Sequence, residues 1–445
     1  MIYSLSVMTK SITEVIMDKI RLGVMGAMRG SSCMKFCLDT DMMELVAICD
    51  WNQELLDTAR ENLGEDIIYY RDFEAFIEHD MDAVVLANYA NQHAPFAIRV
   101  MQKGKHVFSE VLPCQTMQEA VELVEAVEKY GKIYAYGENY CYMRAPYEMR
   151  RLYKEGKIGE FEYAEGEYIH NCEDWWASLT YGDPGHWRNN MYSTYYCTHS
   201  LGPIVHMTGL RPVSVIGFEG SKNERNLRVG HKAGQFGIEM VTFENGGIAK
   251  SIHGGLYRNS IWYSLYGSKG RMETAREDAK NGGVGRIYIN ADEYSSGYET
   301  GKSETYEVMQ KIDGLNGQGH GGGDDLSLYN FAKAIRGDKD ADFIDVYEAL
   351  DMFLPGMFAY RSVLRGGIPM EIPNLRLKEE RDKWRNDTAC TDPDVAKEML
   401  LPSFSKGNPD IPPEVYEAMK KKNEYEFRNK LGPYKYAMEN FTKKK

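Results

Sequence analysis

The chain has 445 residues, 43% of them hydrophobic and 27% charged, more than one compact core needs, so two domains are expected. Its 53 basic and 66 acidic side chains leave a net charge of −13, which argues against nucleic acid as a partner. No stretch approaches the roughly 20 apolar residues of a membrane span, and eight cysteines without a C-x-x-C pair fit a reducing, cytoplasmic compartment.

Residues 1–19 read as an N-terminal extension: acidic residues follow a short apolar stretch, and no cationic region leads into a cleavage site. From Ile20, short β-branched runs alternate with amphipathic helical patterns. Strands are expected at 20–26, 44–50, 67–70, 83–88, 106–110 and 133–139, with helical segments such as NQELLDTARENLG and TMQEAVELVEAVEKYG between them. That alternation predicts an α/β unit, a doubly wound parallel sheet over residues 20–140. After a helix at 147–156 the pattern changes to period two, in segments at 160–170, 212–220, 237–246, 247–255, 260–270 and 285–294 with glycine or Asn-Gly turns. Residues 141–384 are therefore read as an α+β domain on a large, mainly antiparallel open sheet, with a helix at 324–337 capped by Asp324 or Asp325. Residues 385–445 form a Pro-punctuated C-terminal extension whose end, 416–445, has nine Lys/Arg against four Glu. That tail is read as an oligomer contact or a solvated arm.

The first strand runs into GVMGAMRG, where Gly23, Gly26 and Gly30 allow a tight turn into a helix N-terminus that favours a pyrophosphate. Met28 stands where the usual motif has its middle glycine. Asp50 lies twenty residues past Gly30, at the end of the second strand. A carboxylate there accepts ribose hydroxyls and repels a 2′-phosphate, which predicts NAD rather than NADP; the alternative is that Asp50 caps the next helix beside Trp51. Ligands of such sheets sit beyond the strands' carboxyl ends, so Asn88, Asn91 and His93, with Glu110 and Val111, should line the crevice. His93 is read as a contact of the nicotinamide ribose or as a helix cap.

Between Phe161 and His199, ten of thirty-nine residues are aromatic against 12% in the whole chain. Rings with polar tips and an Arg match the apolar faces and hydroxyls of a sugar; an aromatic seam between domains is the alternative.

These motifs resemble the Gfo/Idh/MocA oxidoreductases, and among them the NAD-dependent exo-glycosidases that act as α-N-acetylgalactosaminidases. The resemblance is carried by Met28-Arg29, Glu110-Val111, Glu138-Asn139, the His-Trp-Arg at 186–188, the Tyr-x-Thr-His-x-Leu-Gly-Pro run at 196–203 and the Gly-His-Gly-Gly at 319–322. It covers roughly residues 20–385 and implies a Rossmann domain followed by the open-sheet domain. It further implies NAD held by Gly26, Met28, Arg29, Asp50, Asn88, Asn91, His93, Glu110, Val111 and Asn139. A sugar or glycoside would then meet His186, Trp187, Arg188, Tyr195 and Tyr257, in a homo-oligomer.

Most of the superfamily has Glu-Lys-Pro after the fifth strand, and an Asp four residues before a catalytic His; this chain has Val111 and Tyr195 at those places. The resembling glycosidases lack that Lys too, and by the match Tyr196 and His199 carry the proton transfers. Where those glycosidases have Trp-Glu-Trp-His, this chain has Ala90-Asn91-Gln92-His93.

The implied chemistry is oxidation of a 3-hydroxyl with His199 as base, removal of the carbon 2 proton by Tyr196, and Arg188 as a clamp. Two other readings stand beside redox-neutral glycoside cleavage: a sugar or glycoside 3-dehydrogenase, and a nucleotide-sensing regulator without turnover. His186 is otherwise a loop hydrogen-bonder, and His320 a lead-in to the following helix. No metal is expected, since no H-x-x-x-H or H-E-x-x-H spacing occurs.

Overall fold

The computed structural model describes residues 18–276, 284–291, 303–309 and 319–442. Most of the N-terminal extension and the end of the expected 285–294 strand lie outside the described residues.

Six strands form a parallel sheet: β1 (Ile20–Met25), β2 (Met43–Cys49), β3 (Ile68–Tyr70), β4 (Ala83–Leu86), β5 (His106–Ser109) and β6 (Tyr134–Tyr136). Their order, β3-β2-β1-β4-β5-β6, reverses direction at β1 and β4 and so opens a crevice beyond the carboxyl ends of those strands. The crossover helices start where the sequence supplies caps. Asn52, Asp72 and Thr116 each accept a backbone N–H of the first turn, and Glu119 reaches back to the Gln115 N–H at 2.6 Å.

The second sheet has, among the described residues, nine strands in the order β14-β13-β12-β11-β7-β10-β9-β8-β15. These are β7 (Phe161–Ile169), β8 (Pro212–Glu219), β9 (Phe236–Phe243), β10 (Ile248–Gly254), β11 (Ser260–Gly267), β12 (Gly270–Thr274), β13 (Arg286–Ala291), β14 (Ser303–Glu307) and β15 (Met370–Glu371). The sheet is mainly antiparallel, with one parallel pair, β7 with β10. Helix Thr198–Thr208 covers its inner face, packed on β7, β10 and β11. Contact is close: a Cβ on Gly166 of β7 would stand 1.9 Å from the Ser200 carbonyl oxygen.

Three features differ from the sequence reading. The helix expected at 324–337 is Gly323–Ile335 and starts from Gly322, so Asp324 and Asp325 sit in its first turn rather than capping it. A buried helix, Val346–Leu364, was not legible as a helix. The tail is no solvated arm. Helices Pro413–Arg428 and Pro433–Asn440 pack on the body of the protein, and Ala437 and Phe441 are fully buried among Rossmann-core residues.

Candidate active site

The glycine turn after β1 is built by close approach. Gly26 has φ +93° and a Cβ there would lie 2.3 Å from the Ala87 carbonyl oxygen, so only glycine fits. Asp50 is buried and doubly used: Oδ2 accepts the Ala27 N–H at 2.7 Å and Oδ1 the Asn52 N–H at 2.8 Å. It thus ties the turn to the end of β2, while each oxygen keeps a lone pair for a ribose hydroxyl. Around the same crevice Asn88 Oδ1, Asn91 Oδ1, His93 Nε2 and Asn139 Oδ1 are buried with no partner among the described residues. Buried polar atoms without partners mark a place where a polar ligand belongs, and this set fits a dinucleotide. His93 donates its other nitrogen, Nδ1–H, to the Leu112 carbonyl at 2.8 Å, and burial pulls its pKa to about 4, so the ring is neutral.

A cavity of about 700 Å³ opens from this crevice toward the second sheet. Met28, Arg29, Glu110, Val111 and Asn139 line its Rossmann side. Arg29 is an ion-pair node there, bonded to Glu110 at 2.7 Å and to both oxygens of Asp324 at 3.0 and 3.1 Å. Asn139 Nδ2 and His320 Nδ1 meet the same Asp324 carboxylate. Burial opposes ionisation of Asp324, yet Arg29 and His320 hold it well below the usual carboxylate range. Burial pushes Glu110 up to about 7 despite Arg29.

His199 lines the cavity from the start of helix Thr198–Thr208. Its Nδ1 is 2.6 Å from Glu138 Oε1, and Glu138 is fully buried. A buried carboxylate at Nδ1 keeps the proton there and leaves Nε2 as the basic nitrogen. Three tyrosine rings surround the imidazole: Tyr140, Tyr168 and Tyr196 at centroid distances of 4.4, 4.7 and 5.1 Å. Arg188 lies over Tyr196 at 5.4 Å. Burial raises the Tyr196 pKa, and the Arg188 cation works against that rise.

Glu138, Tyr140, Tyr168 and Asp324 were not among the residues singled out as a site. Glu138 belonged to the Glu138-Asn139 motif, and its role could have been suspected there; Asp324 was read only as a cap. Conversely, four residues expected at the substrate stand off the cavity wall. Tyr195 is core: its hydroxyl donates to the Cys114 carbonyl at 3.1 Å and its ring packs on Tyr192 and Phe353. His186 accepts the Arg188 N–H at Nδ1 and lies edge-on to Tyr89, with burial pulling its pKa to about 3. Trp187 backs the Arg188 guanidinium at 4.4 Å. Tyr257, in the β10–β11 connection, is 64% exposed beneath the Arg258 cation.

The C-terminal extension crosses the cavity mouth. Its helix Pro413–Arg428 lies on the sheet domain, where Tyr416 OH donates to the Gly230 carbonyl and Lys422 to that of Asp174. Gly432, Pro433 and Tyr436 then line the cavity. Beyond them Asn440 donates to Ser31 Oγ at 3.1 Å, at the start of the helix that follows the glycine turn.

A parallel sheet with its crevice at the β1/β4 reversal, a glycine turn on a helix N-terminus and a buried acid after β2 define a dinucleotide-binding oxidoreductase. Residues 20–138 match the Gfo/Idh/MocA family, described as "Oxidoreductase family, NAD-binding Rossmann fold". Residues 20–138 are thus similar to Gfo/Idh/MocA domains, and NAD is the cofactor. Over most of its length the chain is similar to curated glycosyl hydrolase family 109 proteins. The one from Shewanella putrefaciens is 26% identical over 385 residues, 78% of this chain and 83% of that protein. The one from Saccharopolyspora erythraea is 25% identical over 412 residues, 83% and 85% of the two chains. Among solved structures, an inositol dehydrogenase homolog complexed with NAD+ from Azotobacter vinelandii superposes with a TM-score of 0.66 at 16% identity, covering 82% of this chain and all of that one. An aldose-aldose oxidoreductase from Caulobacter crescentus, complexed with glycerol, gives 0.64 at 18% identity, with 80% and 100% covered. These two share the fold.

Proposed function

We propose that the chain oxidises the 3-hydroxyl of a sugar or glycoside as the first step of redox-neutral glycoside cleavage. The observation that carries this reading is the His199–Glu138 pair set among Tyr196, Tyr168 and Arg188 in a cavity that opens from the dinucleotide crevice. The similarity to glycosyl hydrolase family 109 proteins supports it.

Bound NAD supplies a hydride acceptor and, at the end of the cycle, the same hydride back. His199 Nε2 takes the hydroxyl proton while the carbon 3 hydride departs, and Glu138 stabilises the imidazolium that forms. The resulting ketone acidifies the proton on carbon 2. The Tyr196 oxygen removes that proton, and the carbon 1 substituent leaves with the bonding electron pair. Water adds at carbon 1, the carbon 2 proton is restored, and His199 returns its proton as the ketone is reduced. Arg188, beside Tyr196, favours the phenolate that this step needs.

The rise of the Tyr196 pKa on burial favours the second reading, a 3-dehydrogenase that stops at the ketone. One experiment separates them: an aryl glycoside incubated in deuterated water without added NAD. Many turnovers per enzyme with deuterium at carbon 2 are expected, whereas a stoichiometric burst of ketone without exchange refutes cleavage.

A further inference from the structure

The far end of the cavity, on the second sheet, contains a group of polar atoms that the chemistry above does not use. His253 closes β10 and is 3% exposed, with neither ring nitrogen hydrogen-bonded among the described residues. Its Nδ1 faces Glu239 Oε1 at 3.5 Å, and Glu239 is fully buried with neither oxygen hydrogen-bonded among the described residues. His231 Nε2, Ser193 Oγ and Arg225 Nη1 are likewise buried and unpartnered. His231, Ser193, Arg225 and His253 all line the cavity.

Leaving so many buried polar atoms without partners costs roughly 1–3 kcal/mol each, so a fold retains them where something polar binds. The set mixes kinds. Arg225 only donates, Glu239 as a carboxylate only accepts, and the serine and a neutral imidazole do both. Burial holds His231 at a pKa of about 4, so its ring is neutral. A hydroxyl also donates and accepts, whereas a carboxylate or phosphate ligand would meet Glu173 on the cavity wall. Trp175 adds an apolar face: it lines the cavity and is 47% exposed, the kind of surface on which the CH face of a sugar ring rests. A cavity of about 700 Å³ also holds more than the one ring that reacts at His199.

We infer that Ser193, Arg225, His231 and His253, with Trp175, form a second sugar subsite that holds the leaving-group ring of a disaccharide. The assignment rests on the proposed function, since the leaving group defines the ring on this side of the reacting carbon.

The test is equilibrium binding, read by calorimetry and saturation-transfer NMR on the NADH-loaded protein, in which no acceptor for the carbon 3 hydride is present. The probes are galactose against melibiose and glucose against maltose, with the methyl glycosides as controls. At least one disaccharide is expected to bind about tenfold or more tighter than its monosaccharide, with saturation reaching the second ring. Arg225→Ala, in the short helix Glu224–Leu227, and His253→Gln, which keeps a polar group in place, should each lose about tenfold more on the disaccharide than on the monosaccharide. Equal affinity within both pairs, or equal losses on both sugars, overturns the subsite. Because binding is read without chemistry, the two failures are separable: absent carbon 2 exchange with preferential disaccharide binding refutes the cleavage reading alone.

Discussion

Glu138 and His199 are sixty-one residues apart in sequence and 2.6 Å apart in space, joined Oε1 to Nδ1 in a buried pair. The carboxylate sets the tautomer and so makes Nε2 the base. Replacing His199 by Ala should abolish NADH formation in a single turnover. Glu138→Gln keeps the shape but offers an amide in place of the charge, so hydride transfer should fall about 10²–10⁴-fold, as tautomer-setting carboxylates do elsewhere. Stopped-flow absorbance of NADH checks both, together with the pH profile, whose acidic limb, set by protonation of the base, should move in Glu138→Gln. An unchanged rate in His199→Ala removes His199 from the role of base, and an unchanged rate and pH profile in Glu138→Gln remove Glu138 from that of setting its tautomer.

Tyr196 acts at a later step. Tyr196→Phe should leave single-turnover oxidation within about tenfold of the wild type, yet suppress carbon 2 exchange and release of the leaving group by about 10²-fold or more. Mass spectrometry of recovered sugar in deuterated water reads the exchange directly. Exchange at the wild-type rate in the phenylalanine variant would assign the base to another group, with Tyr140 the first candidate by proximity to His199.

The parallel sheet was legible because buried strands are continuous β-branched runs, and the glycine turn because Gly26 occupies a backbone geometry closed to other residues. Ion pairs that close the site were not. Arg29 and Asp324 are separated by 295 positions, and nothing local at Asp324 distinguishes a cap from a partner. The helix Val346–Leu364 is apolar around most of its circumference and includes Pro355, so it carries no amphipathic stripe to read. Tyr195 and Tyr196 look alike in sequence, and only the geometry of the turn that precedes helix Thr198–Thr208 sends one into the core and the other into the cavity.

The C-terminal extension should govern how firmly NAD is held. Helix Pro433–Asn440 lies against helix Ser31–Asp39, and Tyr436 stands on the cavity wall, so release of the nucleotide requires this segment to lift. Tyr436→Ala combined with Asn440→Ala removes two contacts at the rim while leaving the Phe441 anchor. NAD dissociation, followed by trapping with an excess of dehydrogenase, should accelerate about tenfold at unchanged melting temperature of the NAD-free protein. Phe441→Ala, by contrast, empties a fully buried site and should cost roughly 3–5 kcal/mol of stability. Identical dissociation rates in the wild type and the double variant would mean that the extension leaves nucleotide exchange unhindered.

Stability itself should depend on pH through a group far from the site. Glu119 accepts the Gln115 N–H at the start of helix Met117–Tyr130, and burial pushes its pKa up from 4.5 to about 7. Between those values the folded state binds the proton that the unfolded state has released. Stability therefore falls as pH rises from about 4.5 to about 7 and stays lowered above it, by at most on the order of 3 kcal/mol. Glu119→Gln retains an oxygen to accept the same N–H and carries no charge at any pH. Its melting temperature relative to the wild type should accordingly rise between pH 5 and pH 8. Parallel melting curves across that range would show that Glu119 is ionised at little cost in the fold.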